Sequence, residues 1–230
     1  ADGQPETDPR RDRLGMAAPD LGATGQAQLL HMTAARYTAE AALFVIPLLL
    51  TWLYSRQGSA WPLIPWAVGM AVLGVVMLLA RRRLHQDALG MSDAALLARW
   101  IPRSQKVALV YGASWVVPVV LTWGDAQFEF ALGQYLVLAG ITAAATNYLA
   151  TIFGLFVRCF LGLWVVAMPA ICWVFPQHWY FMLPLALLYA IVSFRHALDT
   201  HRFLVRQIQL EERSAYLAEK YKAAQLQAEQ

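Results

Sequence analysis

Residues 37–198 are built of long apolar blocks joined by short polar stretches. A bilayer's hydrocarbon core is about 30 Å thick, and a helix of about 20 apolar residues crosses it. Six blocks are suited to crossing it, at residues 37–54, 62–80, 107–123, 130–149, 153–174 and 181–198. Charged residues make up about a quarter of an ordinary soluble domain; here they are 14% against 59% hydrophobic. Hydrocarbon offers no partner for a backbone amide, so such blocks must satisfy their own hydrogen bonds as helices. The expected fold is all-α: a polytopic membrane protein of six transmembrane helices arranged as three hairpins.

The joints sort by charge. Between the second and third blocks lie Arg81, Arg82, Arg83, Arg99, Arg103 and Lys106. The joints "GDAQFE" and "FPQHW" hold no Lys or Arg, and "SRQGSA" holds only Arg56. Cytoplasmic loops carry the excess of cations, which places the 81–106 joint and both termini in the cytoplasm. Trp52, Tyr54, Trp61, Trp123, Phe128, Tyr135, Trp173, Trp179 and Tyr180 fall at the opposite ends of the blocks. They read as an interfacial aromatic belt. Blocks one, three and five share a pattern, "VIPLLLTW", "VVPVVLTW" and "VAMPAICW", in which a proline precedes a tryptophan. Within the basic joint, residues 92–101 form an amphipathic stretch that Ser92 can cap, an expected interfacial helix on anionic lipid.

Residues 1–30 are rich in Ala, Gly, Pro, Asp and Arg, without periodicity, and are expected to be a disordered cytoplasmic tail without a signal peptide. Cys159 and Cys172 would sit about 20 Å apart on one helix, too far for a disulfide. The five histidines make no metal-binding pattern, and no phosphate loop, nucleophile elbow or carboxylate pair is present. The expectation is no catalytic site, no metal, no cofactor and no nucleic-acid partner.

Polar groups inside the apolar blocks are the candidates for ligand binding. Ionisable residues in a span are costly unless paired or hydrated, which singles out Glu40 and Arg158 as a pair of similar depth. The fourth block adds Thr142, Thr146 and Asn147, with Gly133, Gly140 and Ala143–Ala145 as small residues permitting close helix approach.

Beyond residue 198 the chain becomes charged. Phe203, Leu210, Leu217 and Ala224 recur every seven residues, with Gln207, Ser214 and Tyr221 between them in three-four spacing. This is a coiled-coil seam, so residues 199–230 are expected to continue the sixth span as a cytoplasmic coiled coil in a homodimer.

Six apolar blocks followed by "FLVRQIQLEERSAYLAEKYKAAQLQAEQ" resemble the N-terminal sensor region of bacterial membrane-bound histidine kinases, hybrid ones included, some of which sense quorum signals. The resemblance implies a location in the bacterial cytoplasmic membrane and a diffusible, hydrophobic or amphiphilic signal reaching helices through the lipid. It also implies a two-component output through a downstream kinase domain and response regulator. None of the kinase motifs lies within these 230 residues. Two other readings stand beside it: the sensor of a diguanylate cyclase, and a small transporter or lipid-handling protein of three hairpins.

Overall fold

A computed structural model describes residues 21–35, 41–58, 61–124 and 126–228. The described residues form eight helices and no strand: α1 (Ala23–Ala35), α2 (Ala41–Ser55), α3 (Leu63–Gly90), α4 (Asp93–Ser114), α5 (Val117–Leu121), α6 (Phe128–Tyr148), α7 (Phe153–Val174) and α8 (Trp179–Ala228). Among the described residues, five stretches are long and apolar enough to cross a membrane: α3, α4 with α5, α6, α7 and most of α8. The apolar helix in α2, Phe44–Ser55, is shorter, and the residues just before α2 lie outside the described ones.

Several boundaries differ from those expected. The interfacial helix at 92–101 is no separate element but the first turns of α4, which passes through Pro102 into the third block. Ser92 occupies the N-cap in extended conformation without a side-chain cap bond. The tail does not stay irregular up to residue 30: α1 begins at Ala23 and buries Ala27, Leu29 and Leu30, and Leu21 just before it is buried too. Apolar side chains at those positions find partners that composition alone does not reveal. Of the aromatic belt, Tyr54 and Tyr135 are buried in the core instead, Tyr135 donating from its hydroxyl to the Ala167 carbonyl at 2.8 Å. Trp52, Trp61, Trp123, Trp173, Trp179 and Tyr180 stay exposed.

The three proline motifs diverge. α2 and α7 run through Pro47 and Pro169, whereas the third block breaks into α4 and α5 at Trp115–Val116. A helical proline clashes with the carbonyl four residues back and offers it no N–H. For Pro118 that carbonyl is Ser114's, and the Trp66 indole N–H of α3 donates to it at 2.7 Å. The break is thereby satisfied from a neighbouring helix. Thr51 and Thr122 repeat one local device, each hydroxyl donating back to its proline's carbonyl, at 2.8 and 2.9 Å.

The tightest helix pair is α4 with α7. A Cβ on Gly112 would run into the Cys159 carbonyl, and one on Gly162 would lie 2.5 Å from the Leu109 carbonyl oxygen and 2.9 Å from the Ala113 nitrogen. Only glycine lets backbones approach so closely. Gly133 and Gly140 of α6, expected to do this, have no atom near the place of a Cβ. Around the crossing, Trp115, Phe156, Leu163 and Ile171 are fully buried in one large core. Buried polar contacts pin it: Tyr111 and Tyr148 meet hydroxyl to hydroxyl at 3.3 Å, and Tyr189 of α8 donates to the Ala139 carbonyl at 2.6 Å.

Two smaller apolar clusters lie at the end of the bundle that carries the basic joint. In one, Leu21 and Leu29 pack on Leu204, Val205 and Ile208 of α8. In the other, Leu30 packs on Leu84 of α3 and on Leu96, Leu97 and Trp100 of α4. Ile152, in the turn between α6 and α7, touches all three clusters.

Candidate functional site

At this basic end α3 and α4 border a half-open cavity of about 520 Å³, with α1 and α7 each adding a leucine, Leu30 and Leu155. Its size falls within the range of small-molecule sites, roughly 300–1,000 Å³. α3 is responsible for much of it. The expected span ends at Ala80, but the helix continues ten residues further to Gly90, carrying one face from apolar to charged. Met77 and Ala80 supply an apolar floor, and exposed Val76 and Leu79 its outer lip. The next turns bring Arg81, Arg83 and Asp87 to the mouth, and α4 brings Arg99, Arg103 and Ser104 from the other side.

The mouth is cationic. Four guanidinium groups face one carboxylate, a net charge of +3. Asp87 is already engaged: it pairs with Arg99 at 3.3 Å and accepts from the Trp100 indole N–H at 2.9 Å. Arg103 lies over the Trp100 ring, 5.9 Å from its centroid. Trp100 therefore organises both arginines while its body fills the cluster with Leu30. Among the described residues no carboxylate pairs with Arg81, Arg83 or Arg103.

Of the residues singled out from the sequence, Thr142, Thr146, Asn147 and Arg158 lie elsewhere and do not line this cavity. Thr142 is buried; its hydroxyl donates to the Leu138 carbonyl at 2.8 Å and accepts from the Trp164 indole at 3.1 Å, tying α6 to α7. Thr146 is buried and donates to the Ala143 carbonyl at 2.6 Å. Asn147 is exposed, its amide donating to the same carbonyl at 3.2 Å. Arg158 is exposed on α7, and Glu40 lies outside the described residues. Thr142 thus fastens α6 to α7, whereas Thr146 bonds within α6. The sequence signal that was missed is the pairing of "RRRLHQD" with "ARWIPR" across a helical hairpin. Read one joint at a time, those arginines report only orientation.

The seam residues all fall on α8, which runs unbroken for 50 residues. Phe203, Leu210 and Tyr221 are 66%, 65% and 74% exposed, and Gln207, Ser214 and Leu217 are exposed beside them. Ala224 lies in the helix, its side chain outside the described ones. At 100° per residue these positions share a face turned away from Leu204, Val205 and Ile208, the side covered by α1. The helix is fixed where it leaves the bundle. His201 Nδ1 lies 3.1 Å from both the Ala150 and Thr151 carbonyls, and its ring rests against Phe153 at 5.8 Å.

Among the described residues no cluster of three or more His, Cys, Asp or Glu could hold a metal ion. Together these features define an all-helical protein with helices suited to a membrane, a basic cavity at one end and a long helix leaving that same end. No protein-family model, curated protein or solved structure matches the chain.

Proposed function

We propose that this chain is the transmembrane receptor module of a signalling protein, multi-pass in a bacterial cytoplasmic membrane with six spans and both termini cytoplasmic. It acts as a homodimer. A stimulus at the bundle alters how α8 is seated, and α8 passes that change to a histidine kinase and its response regulator. One observation carries the reading: α8 continues without a break from an apolar half into a charged half about 45 Å long. Its outer face repeats exposed Phe203, Leu210, Leu217 and Tyr221 with seam spacing.

A helix that merely anchors a bundle gains nothing from an apolar stripe in water. Twinned with a second copy, the stripe becomes the core of a parallel coiled coil, which reports rotation or splay at its base as a shifted seam at its tip. The linkage requires a bundle with two arrangements that a stimulus can bias. Short joints leave no room for a separate sensing domain outside the bilayer, so the stimulus acts within the membrane or at its surface.

The coding sequence downstream of Gln230 tests the output. A His-bearing dimerisation helix followed by an ATP-binding domain carries the kinase reading. A cyclase domain there transfers the same receptor to a diguanylate cyclase, and a stop codon overturns both. With a kinase present, autophosphorylation of the full-length protein in defined lipid, with and without candidate amphiphiles, measures the response.

A further inference from the structure

The cavity between α3 and α4 has two chemically distinct halves stacked along the helix axis. From Val76 to Arg83 is seven residues, about 10 Å, and over that distance the lining passes from aliphatic to guanidinium. An amphiphile's tail and headgroup are separated on the same scale. Arginine pairs with a phosphate through two parallel hydrogen bonds, and Arg81, Arg83 and Arg103 have no carboxylate partner among the described residues. Basic pockets between membrane helices suit anionic headgroups. Outside the cavity, α3 continues the apolar floor with exposed Val68, Val72 and Val75, a track for the acyl chain that the cavity cannot hold.

One wall of the cavity belongs to α1. Leu30 lines it and is only 2% exposed. Its neighbour Leu29 points about 100° away and packs with Leu21 on Leu204, Val205 and Ile208 of α8. α1 is thus a wedge, one face against the cavity and the other against the base of the long helix. Ile152 touches both sides of that wedge. Close-packed interiors transmit small shifts and do not absorb them.

We propose that this cavity binds an anionic phospholipid from the leaflet on the basic side, and that α8 senses its occupancy through α1. The headgroup phosphate sits among Arg81, Arg83 and Arg103, and the upper part of one acyl chain lies on Val76, Leu79 and Ala80. The binding half stands on the cavity alone; the sensing half rests on the receptor reading above. With lipid in place, Leu30 is held against Leu84 and Trp100, and Leu29 is held against α8. With the cavity empty, α1 lifts and exposes Ile208.

The test uses the full chain in nanodiscs of phosphatidylcholine, with and without phosphatidylglycerol. Native mass spectrometry reads the bound lipid, and maleimide labelling of Ile208→Cys in a Cys172→Ser background reads α1. Phosphatidylglycerol is expected to be retained selectively and to slow labelling about fivefold or more, the size of a modest coupling. Arg83→Ala and Arg103→Ala each weaken retention about fivefold. Ala80→Trp fills the floor and abolishes retention with every arginine still present, which separates a cavity from a merely basic surface.

Equal retention of both lipids, or unchanged retention in Ala80→Trp, overturns the site. Displacement of phosphatidylglycerol by a single-chain carboxylate such as decanoate, at concentrations where phosphatidylglycerol fails to compete back, overturns the phospholipid assignment. Selective retention with unaltered Ile208→Cys labelling overturns the coupling. Neither readout uses a kinase or a dimer, so failure of the receptor reading leaves the binding result intact.

Discussion

Replacing Gly112 by alanine adds one methyl group where α4 crosses α7, and the structure leaves no place for it. The new Cβ meets the backbone carbonyl of Cys159, with that residue's carbonyl carbon 2.9 Å and Cα 3.1 Å away. These are backbone atoms and cannot turn aside as a flexible side chain would. Relief requires the helices to separate, and Gly162 ties the same pair further along. Overpacking of this kind costs about 1–3 kcal/mol. Helix propensity works the other way, favouring alanine over glycine by about 1 kcal/mol. Gly133→Ala and Gly140→Ala isolate that favourable part, because their Cβ atoms enter open space. The expected order is a net loss of up to about 2 kcal/mol at Gly112 and a gain of up to about 1 kcal/mol at Gly133 or Gly140. That separation, about 1–3 kcal/mol, corresponds to roughly a fivefold to hundredfold difference in folded-to-unfolded ratio, since 1.4 kcal/mol is about tenfold. Reversible unfolding of the purified protein in mixed micelles measures it. If Gly112→Ala is as stable as Gly133→Ala, the close α4–α7 crossing is refuted.

Three further outcomes are expected. Trp66→Phe removes the indole donor that satisfies the Ser114 carbonyl freed by Pro118, and should cost about 1 kcal/mol in the same assay; a cost near zero would mean that the carbonyl is satisfied otherwise. His201→Ala removes the ring nitrogen shared by the Ala150 and Thr151 carbonyls at the base of the long helix. It should speed amide exchange of residues 197–205 while leaving α4 and α7 protected, since local opening follows local contacts. Leu29→Ala deletes part of the contact between α1 and α8, with a cost of about 2–3 kcal/mol if the site collapses only partly. It should raise maleimide labelling of Ile208→Cys in the lipid-bound protein, and unaltered labelling would contradict the wedge.

Much of the architecture was legible because the bilayer imposes its own arithmetic on sequence. Apolar runs and their charged joints located most of the helices, and the seven-residue recurrence of Phe203, Leu210 and Leu217 carried the last of them onward as α8. What stayed hidden depends on which helix neighbours which. Gly112 and Gly162 are ordinary glycines in the sequence, and only the crossing of α4 with α7 distinguishes them from Gly133 and Gly140. The threonines of α6 stood out as polar atoms in an apolar block, yet Thr142 and Thr146 spend their hydrogen bonds on Leu138, Ala143 and Trp164. The cavity was not legible because its arginines come from one turn of α3 and two successive turns of α4. Nor was α1, because four leucines and alanines in a polar stretch give no strong period, and their burial comes from the tertiary partners Leu84, Trp100, Leu204 and Ile208.

The receptor account depends most directly on whether α8 is twinned along its exposed seam. Single cysteines placed from residue 203 to 221, in a Cys172→Ser background, can be oxidised in intact membranes. A disulfide forms only where the two Cα atoms come within about 7 Å. The account predicts copy-to-copy bridges at Phe203, Gln207, Leu210, Ser214, Leu217 and Tyr221, and minima at Leu204, Val205 and Ile208 beneath α1. Bridging that is absent throughout, or equal on both faces of the helix, contradicts it.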